Sequence, residues 1–260
     1  MNAKGILIYI GIALLLVAGF AIAVEPNGAS ITKVSTSRAS STAPSSDAAY
    51  AGNLTELTIT GSSITQSWQG YFGNVSGAIE LADASGNVLY NWSLANPSGE
   101  VYASTNSSIT WTNIQCFNFT ATGTHDASGE TAGATSLNGT NVSQLESAFG
   151  ISPTDADGVD ETFSNANNHA AFFTANLQFS AGECPSTDVY DSTGTGVDGN
   201  FEEVLMYEPT TTSVVYAALI ESGAVNGFDN LDHDFEMLVL EDGHGSDTAT
   251  TNYYFFVELE

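Results

Sequence analysis

Every Lys and Arg of this chain lies within its first 38 residues, at Lys4, Lys33 and Arg38. Of its 30 Asp and Glu residues only Glu25 precedes Ala39, so the formal net charge is -27 although charged residues make up only 13% of the chain. The folded part must therefore form without Lys or Arg salt bridges, and it has no guanidinium or ammonium group to bind a phosphate. Because such a chain repels polyanions, the sequence excludes nucleic-acid binding.

Ser, Thr, Asn and Gly supply most of the remaining polar surface. This composition is typical of an exported or wall-exposed protein, in which concentrated salt, divalent cations or low pH relieve the repulsion between like charges. We therefore expect the protein outside the cell, either at the cell surface or secreted.

Residues 5–24 form a 20-residue run without a charged side chain, long enough for a helix that spans a bilayer. Ala21-Ile22-Ala23 also offers an A-x-A site for a signal peptidase, so a cleaved signal and a retained anchor both remain open. Lys4 precedes the run and the acidic residues follow it, which predicts a cytoplasmic N-terminus if the anchor is retained. Residues 1–24 are thus predicted to be a hydrophobic signal or anchor helix.

Lys4-Gly5 followed by Ile6 and the apolar run resembles the class III leader of archaeal pilins. In that family a peptidase cuts after the Gly, and the apolar helices form a filament core beneath β-rich heads. Pro26 departs from the pattern because it ends the helix sooner than the longer pilin stalk would require. The layout of the chain also resembles that of uncharacterised archaeal cell-surface proteins. These resemblances imply contact with the membrane through the N-terminal helix, and self-assembly.

Two further regions follow the apolar run. Residues 25–51 are rich in Ser, Thr and Ala and cannot bury enough apolar area to offset the entropy of ordering them, so we expect a flexible stalk. Residues 52–260 are long enough to bury a core and are predicted to form the acidic ectodomain.

Within the ectodomain, short runs of β-branched and aromatic residues alternate with turn-forming residues. The turn chemistry of residues 83–87 predicts a hairpin, and a capping-box spacing from Ser143 to Glu146 predicts one short helix over residues 141–150. The pattern predicts an all-β fold, an antiparallel β-sandwich of Ig-like or jelly-roll-like type. The predicted strands are 54–60, 77–81, 88–94, 101–104, 108–114, 117–122, 171–179, 201–207, 213–220, 235–240 and 252–259.

Cys116 and Cys184 are the two cysteines of the chain. In an exported protein such a pair predicts a disulfide, and closing a loop of about 70 residues would contribute roughly 4 kcal/mol of stability. Two buried free thiols are the alternative.

A cluster of acidic residues is the best candidate for a metal site. Asp155, Asp157, Asp160 and Glu161 lie close together around a Gly-containing turn, an arrangement that suits Ca²⁺. The spacing does not match an EF-hand, and solvated acidic loops are the alternative. No other cofactor is predicted.

Sequons and histidines complete the candidate residues. The histidines are predicted to be surface residues, because their spacing matches no metal motif. If the compartment glycosylates, the first half of the ectodomain presents a sugar-coated face. The N-x-S/T sequons are Asn53, Asn74, Asn91, Asn106, Asn118, Asn138 and Asn141.

No catalytic motif stands in a convincing context, since residues 194–199 fit G-x-G-x-x-G without the strand and helix that a dinucleotide site needs. The tryptophans and Glu100, Glu202 and Glu203 could line a sugar cleft, but tryptophans in strand-like runs are more typical of a core. We therefore expect a non-enzymatic cell-surface protein for surface coating, adhesion or filament assembly, with its own copies or cell-surface glycans as partners. A polysaccharide-binding or polysaccharide-processing ectodomain is the alternative.

Overall fold

The structure, a computed structural model, describes residues 25–117, 142–164, 169–241 and 250–260. These residues are mostly β-structure with two short α-helices, as the all-β prediction requires, and none of their helices is long and apolar enough to cross a bilayer. The predicted N-terminal helix lies outside them. The elements are β1 (Asn27–Gly28), β2 (Trp68–Gly73), β3 (Ala78–Ala82), β4 (Val88–Ser93), β5 (Gly99–Ser104), β6 (Gln115–Cys116), α1 (Val142–Ala148), α2 (Val159–Thr162), β7 (Phe172–Thr174), β8 (Leu177–Phe179), β9 (Ser186–Asp188), β10 (Glu202–Glu208), β11 (Ser213–Leu219), β12 (Phe235–Leu240) and β13 (Tyr254–Leu259).

A central antiparallel sheet organises the protein. Its strands lie in the order β1-β13-β5-β11-β10-β6, and β9 also pairs with β10. In this register Tyr102 lies opposite Phe256 in β13 and Ala217 in β11. All seven residues of β10 are buried, so its sequence is not an alternation of apolar and solvent-facing residues. Such burial is expected for a strand that other elements cover on both faces.

The two faces of the central sheet support separate hydrophobic clusters. On one face, Leu205 and Tyr216 belong to a cluster with Met237 of β12 and Leu145 of α1, and β12 pairs with β2. On the opposite face, Val204, Met206 and Val215 pack in a cluster with the β7–β8 hairpin and a 3₁₀ turn. Members contributed by these covering elements are Phe172, Phe179 and Trp111. The described residues therefore form a central sheet with covering layers, and they contain no closed sandwich.

Most of the predicted strands are present, and the helix predicted over residues 141–150 is confirmed as α1. The strand predicted over residues 117–122 lies, after its first residue, outside the described residues. Residues 54–60 are an exception, because they are exposed and belong to no strand. No strand of the described residues lies beside them to pair with, and strand formation depends on such partners. Residues 108–114 contain a 3₁₀ turn instead of a strand, and 171–179 divide into β7 and β8 around Ala175, whose φ is 54°.

The segment predicted as a stalk begins with a paired strand. Asn27 and Gly28 pair with Val257 and Phe256 of β13, and Ala29 donates a backbone hydrogen bond to Phe255. Residues 29–66 then run without a helix or strand and are almost entirely exposed. The chain that follows residues 1–24 is therefore attached directly to the edge of the central sheet.

Candidate functional site

A disulfide joins Cys116 to Cys184, as the sequence predicts, with 4.9 Å between their Cα atoms. Cys116 ends β6 and Cys184 precedes β9, and both short strands pair with β10. Because β11 occupies the other edge of β10, the two short strands follow one another along the same edge. The disulfide links them where they meet.

His169 lies beside this disulfide and is buried, so the prediction of a surface histidine is wrong there. Its Nε2 accepts a hydrogen bond from the Cys184 backbone N–H at 2.9 Å, and its Nδ1 donates to the Ala170 carbonyl at 2.7 Å. Burial lowers the pKa of His169, which favours this neutral tautomer. His233 is also buried, against Asp229 at 2.9 Å. His125 and His244 lie outside the described residues.

Two of the four predicted metal ligands, Asp160 and Glu161, lie on α2 and meet a third carboxylate there. One carboxylate oxygen from each of Glu146, Asp160 and Glu161 lies within 4.8 Å of the others. Glu146 is contributed by α1, and its Oε1 also accepts a hydrogen bond from the Val159 backbone N–H at 3.1 Å. Burial and then the charges of the other two residues raise the pKa of Glu146. A hydrogen bond with Asp160 is the largest cause of the raised pKa of Glu161.

Asp155 and Asp157 instead make local hydrogen bonds. The Asp155 carboxylate accepts the Ser152 backbone N–H at 2.8 Å, and the Asp157 carboxylate accepts the Thr65 hydroxyl at 2.5 Å. The Asp157 carbonyl accepts the indole N–H of Trp68 at 2.7 Å. Exposed carboxylates often approach one another without a metal ion, so Ca²⁺ binding stays a prediction in which Glu146 is the added ligand.

Buried carboxylates are the feature that sequence reasoning missed. Glu203 is fully buried, and one of its oxygens accepts the Leu238 backbone N–H at 2.8 Å. Its Oε1 has no hydrogen-bond partner among the described residues. Burial raises the pKa of Glu203 well above its ordinary value of 4.5. Because no Lys or Arg follows Arg38, this part of the chain has no strong base to neutralise the group, and its raised pKa favours the protonated form.

A second buried group lies on the opposite face of the sheet, where Glu100 and Glu258 face each other across β5 and β13. The Tyr102 hydroxyl is 3.4 Å from an oxygen of each. Burial, followed by the charges of Glu260 and Glu258, raises the pKa of Glu100 to about 9. Burial also raises the pKa of Glu258, although its two oxygens accept the Ala175 backbone N–H at 3.1 and 3.0 Å.

The carboxylates that the sequence offered for a sugar cleft are therefore inside the protein. Glu100, Glu202 and Glu203 are 3%, 5% and 0% exposed. Alternation along β10 directs Glu202 and Glu203 to opposite faces of the sheet. These side chains do not share an open cleft.

The hairpin formed by β3 and β4 is exposed on both faces. Its register pairs Ile79 with Trp92 and Leu81 with Tyr90, so these four side chains lie on one face, which we call the apolar hairpin face. The rings of Tyr90 and Trp92 meet edge to face, with centroids 4.9 Å apart. Trp92 is 51% exposed, so the prediction of a core tryptophan is wrong for it, whereas Trp111 is buried.

The predicted glycosylation sites differ in their surroundings. Asn53, Asn74 and Asn91 are exposed. The Asn106 side chain instead donates to the Ser213 hydroxyl at 2.9 Å and accepts the Ser108 backbone N–H at 2.9 Å, and a glycan on its nitrogen would disturb the first bond. Asn118, Asn138 and Asn141 lie outside the described residues. Glycan occupancy stays a prediction.

Neither a protein-family model, nor a curated protein, nor a solved structure matches this chain.

Proposed function

We propose that this chain is a non-enzymatic extracellular protein, attached to or exported through the membrane by residues 1–24, that serves in surface coating, adhesion or filament assembly. Its acidic β-rich part faces the exterior, where salt, divalent cations or low pH relieve the repulsion among its carboxylates. The resemblance of residues 4–6 and the following apolar run to a pilin leader makes assembly with further copies one form of this role.

The observation that carries the proposal is the Cys116–Cys184 disulfide. It joins two strands at one edge of β10, and Cys184 is fully buried. Disulfides persist in oxidising compartments and are rare in the cytosol. Together with the apolar segment at residues 5–24, the disulfide supports folding on the outer side of a membrane.

Two measurements on cells that produce the full chain test this location. A protease that cannot cross membranes should degrade the β-rich part on intact cells, and mass spectrometry without reductant should find the two cysteines oxidised. The mature N-terminus distinguishes the forms, because Ile6 indicates a pilin, a residue near Val24 a secreted protein, and Met1 an anchor. A chain that resists the protease until the cells are lysed, and that carries free thiols, would contradict the proposal.

The alternative function, a polysaccharide-binding or polysaccharide-processing ectodomain, has less support from the described residues. Its candidate carboxylates are buried, and the edge-to-face rings of Tyr90 and Trp92 do not form a flat platform. A groove of about 340 Å³ beside β13 has a lining without a carboxylate or an imidazole. The groove is lined by Gly28, Ala29, Ile31, Ser107, Tyr253, Tyr254, Phe255 and Phe256.

A further inference from the structure

We propose that the apolar hairpin face lies against the surface of a lipid bilayer and forms a second membrane contact beside residues 1–24. This inference rests on the proposed function, because it requires that residues 1–24 bring the chain to a membrane. In this arrangement the apolar hairpin face is turned toward the lipid, which fixes the orientation of the folded part on the membrane.

The β3–β4 hairpin exposes a continuous apolar surface. Ile79, Leu81, Tyr90 and Trp92 are 44%, 52%, 59% and 51% exposed, which gives an apolar patch of roughly several hundred Å². A patch of this size is as large as soluble monomers usually show and is often functional. A two-stranded hairpin is also only marginally stable alone in water, so a surface that covers one face would stabilise it.

The base of the hairpin lies near Glu25, the first described residue after the apolar segment. Gly77, which precedes β3, lies so close to Leu259 at the end of β13 that a Cβ there would collide with the Leu259 side chain. The β1–β13 register pairs Asn27 with Val257, and continuing it by two residues puts Glu25 opposite Leu259. With adjacent strands about 5 Å apart, Glu25 and the base of the hairpin are within roughly 10 Å of each other. Glu25, which follows the apolar segment in the sequence, and the base of the hairpin therefore lie at the same end of β13.

The two faces of the hairpin differ in their chemistry. The apolar hairpin face carries no charge, and its Trp and Tyr are the residues that favour the interface between lipid and water. Glu80 pairs with Asn91 on the opposite face, so both the carboxylate and the predicted glycan site point away from the lipid. Asp83, in the turn, makes insertion tip-first unfavourable. The hairpin should therefore lie flat on the membrane.

Charge favours lipid over a second copy of the chain as the occupant. Each copy has a formal net charge of -27, so two copies brought together by their hairpins would repel each other. A zwitterionic lipid surface has no net charge and opposes the contact much less. The contact should therefore be apolar in origin, and high salt should preserve or strengthen it.

The test uses the full chain reconstituted into phosphatidylcholine vesicles, some of which carry bromine on the lipid chains. Trp111 is buried and Trp68 is half-buried, so the half-exposed Trp92 should lose the most emission to the bromine. Subtracting the signal of the W92F variant isolates Trp92. Bromine near the headgroups should quench Trp92 more strongly than bromine near the chain ends, and high salt should not reduce the quenching.

Tyr90 and Tyr190 give a matched pair of variants, because both are 59% exposed and only Tyr90 lies on the hairpin. Y90S should lower the quenching of Trp92, whereas Y190S should leave it unchanged. The comparison of the wild type with W92F is decisive even if Y90S does not fold. Flotation of the full chain with the vesicles tests residues 1–24 separately.

If the full chain fails to float, both the membrane attachment and the hairpin contact are wrong. If it floats while Trp92 keeps its emission in brominated vesicles, only the hairpin contact is overturned. Shielding of Trp92 by self-association in the absence of lipid would likewise overturn it and would assign the surface to a second copy.

Discussion

Glu203 presents the folding problem of this chain at a single residue, a buried carboxyl group on a strand with no strong base available to it. At low pH the group is protonated in both the folded and the unfolded chain, and burial costs little. Above its ordinary pKa of 4.5 the unfolded chain ionises while the folded chain holds the proton, because burial raises the pKa of Glu203. Each pH unit in this window then lowers the free energy of unfolding by about 1.4 kcal/mol until the folded pKa is reached.

We predict that E203Q removes this pH-dependent loss. The amide oxygen can still accept the Leu238 N–H, and the side chain no longer titrates. The free energy of unfolding of E203Q minus that of the wild type should increase by up to about 1.4 kcal/mol per pH unit between pH 5 and 7. Denaturant titrations at several pH values measure how this difference in free energy of unfolding changes with pH. The new N–H groups of the amide shift the difference by the same amount at every pH, so they do not alter its slope. Parallel curves for the two proteins would contradict the prediction.

Glu208 provides the control with the opposite sign. Burial alone would raise its pKa, but hydrogen bonds from Thr211 and Thr210 outweigh burial and lower it. The folded chain therefore gains stability from the ionised group above its lowered pKa, and the gain is complete above the unfolded value of 4.5. E208Q should match the wild type most closely at pH 3 and be less stable than it at pH 6.

Ala175 gives a prediction that does not depend on charge. Its φ of 54° lies in the left-handed region, which costs an L-residue about 1–2 kcal/mol, and Gly avoids that cost. A175G should raise the free energy of unfolding by about 0.5–1 kcal/mol after the larger unfolded-state entropy of Gly is subtracted. Gly182, with φ of 69°, is the control, since G182A should lower stability. A loss of stability in A175G would show that Ala is not strained there.

At the scale of elements, the disulfide holds two short strands in line along one edge of β10. The bridge closes a loop with a sequence separation of 68, which in the chain-entropy model contributes about 4 kcal/mol. Replacing both cysteines with Ala should lower the free energy of unfolding by about that amount, as measured by denaturant titration. Reductant should destabilise the wild type similarly and leave the double variant unchanged. A loss below about 1 kcal/mol would mean that the packing of β6 and β9 holds the edge without the bridge.

The elements also show which parts of the fold a sequence can predict. β12 was predictable because residues 237–240 form a continuous apolar run bounded by Glu236 and Glu241. β2 was missed because Gly70 and Gly73 weaken the strand signal. Glu146 was missed as a neighbour of Asp160 because the proximity of α1 and α2 is set by packing and not by spacing along the chain.

The sequence predicts the β3–β4 hairpin, but it does not predict that the apolar face of this hairpin is left uncovered. The alternation of Ile79 and Leu81 indicates that one face is apolar, and it is the same whether or not another layer covers that face. Whether this face is covered depends on whether another helix or strand of the chain packs against it, which the local sequence does not determine. The same limit applies to Glu203, because its neighbours Val204 and Leu205 indicate a buried strand without showing that both of its faces are covered.

At the scale of the whole molecule, two effects should make this protein more stable in mild acid than at alkaline pH. The first is repulsion within a net charge of -27, which acts over distance and which salt screens, with a Debye length of about 10 Å at 0.1 M and 3 Å at 1 M. The second is the raised pKa of the buried carboxyl groups, which salt screens far less than it screens the surface charges. For Glu100 the contribution to stability is complete below pH 4.5 and is lost as pH rises through the folded pKa of about 9.

We therefore predict that the free energy of unfolding falls as pH rises from 5 to 9, and that 1 M salt reduces the slope without abolishing it. The lowered pKa of His169 opposes this trend below about pH 6.5, and the lowered pKa values of Asp83 and Asp191 oppose it only in stronger acid. Thermal unfolding followed by circular dichroism in 0.1 M and 1 M salt separates the two effects. E100Q and E203Q combined should remove part of the slope that persists in 1 M salt, because only the buried groups contribute there. A slope that vanishes in 1 M salt would mean that surface repulsion alone sets the pH dependence, and a rise in stability from pH 5 to 8 would mean that the buried carboxyl groups are ionised in the folded protein.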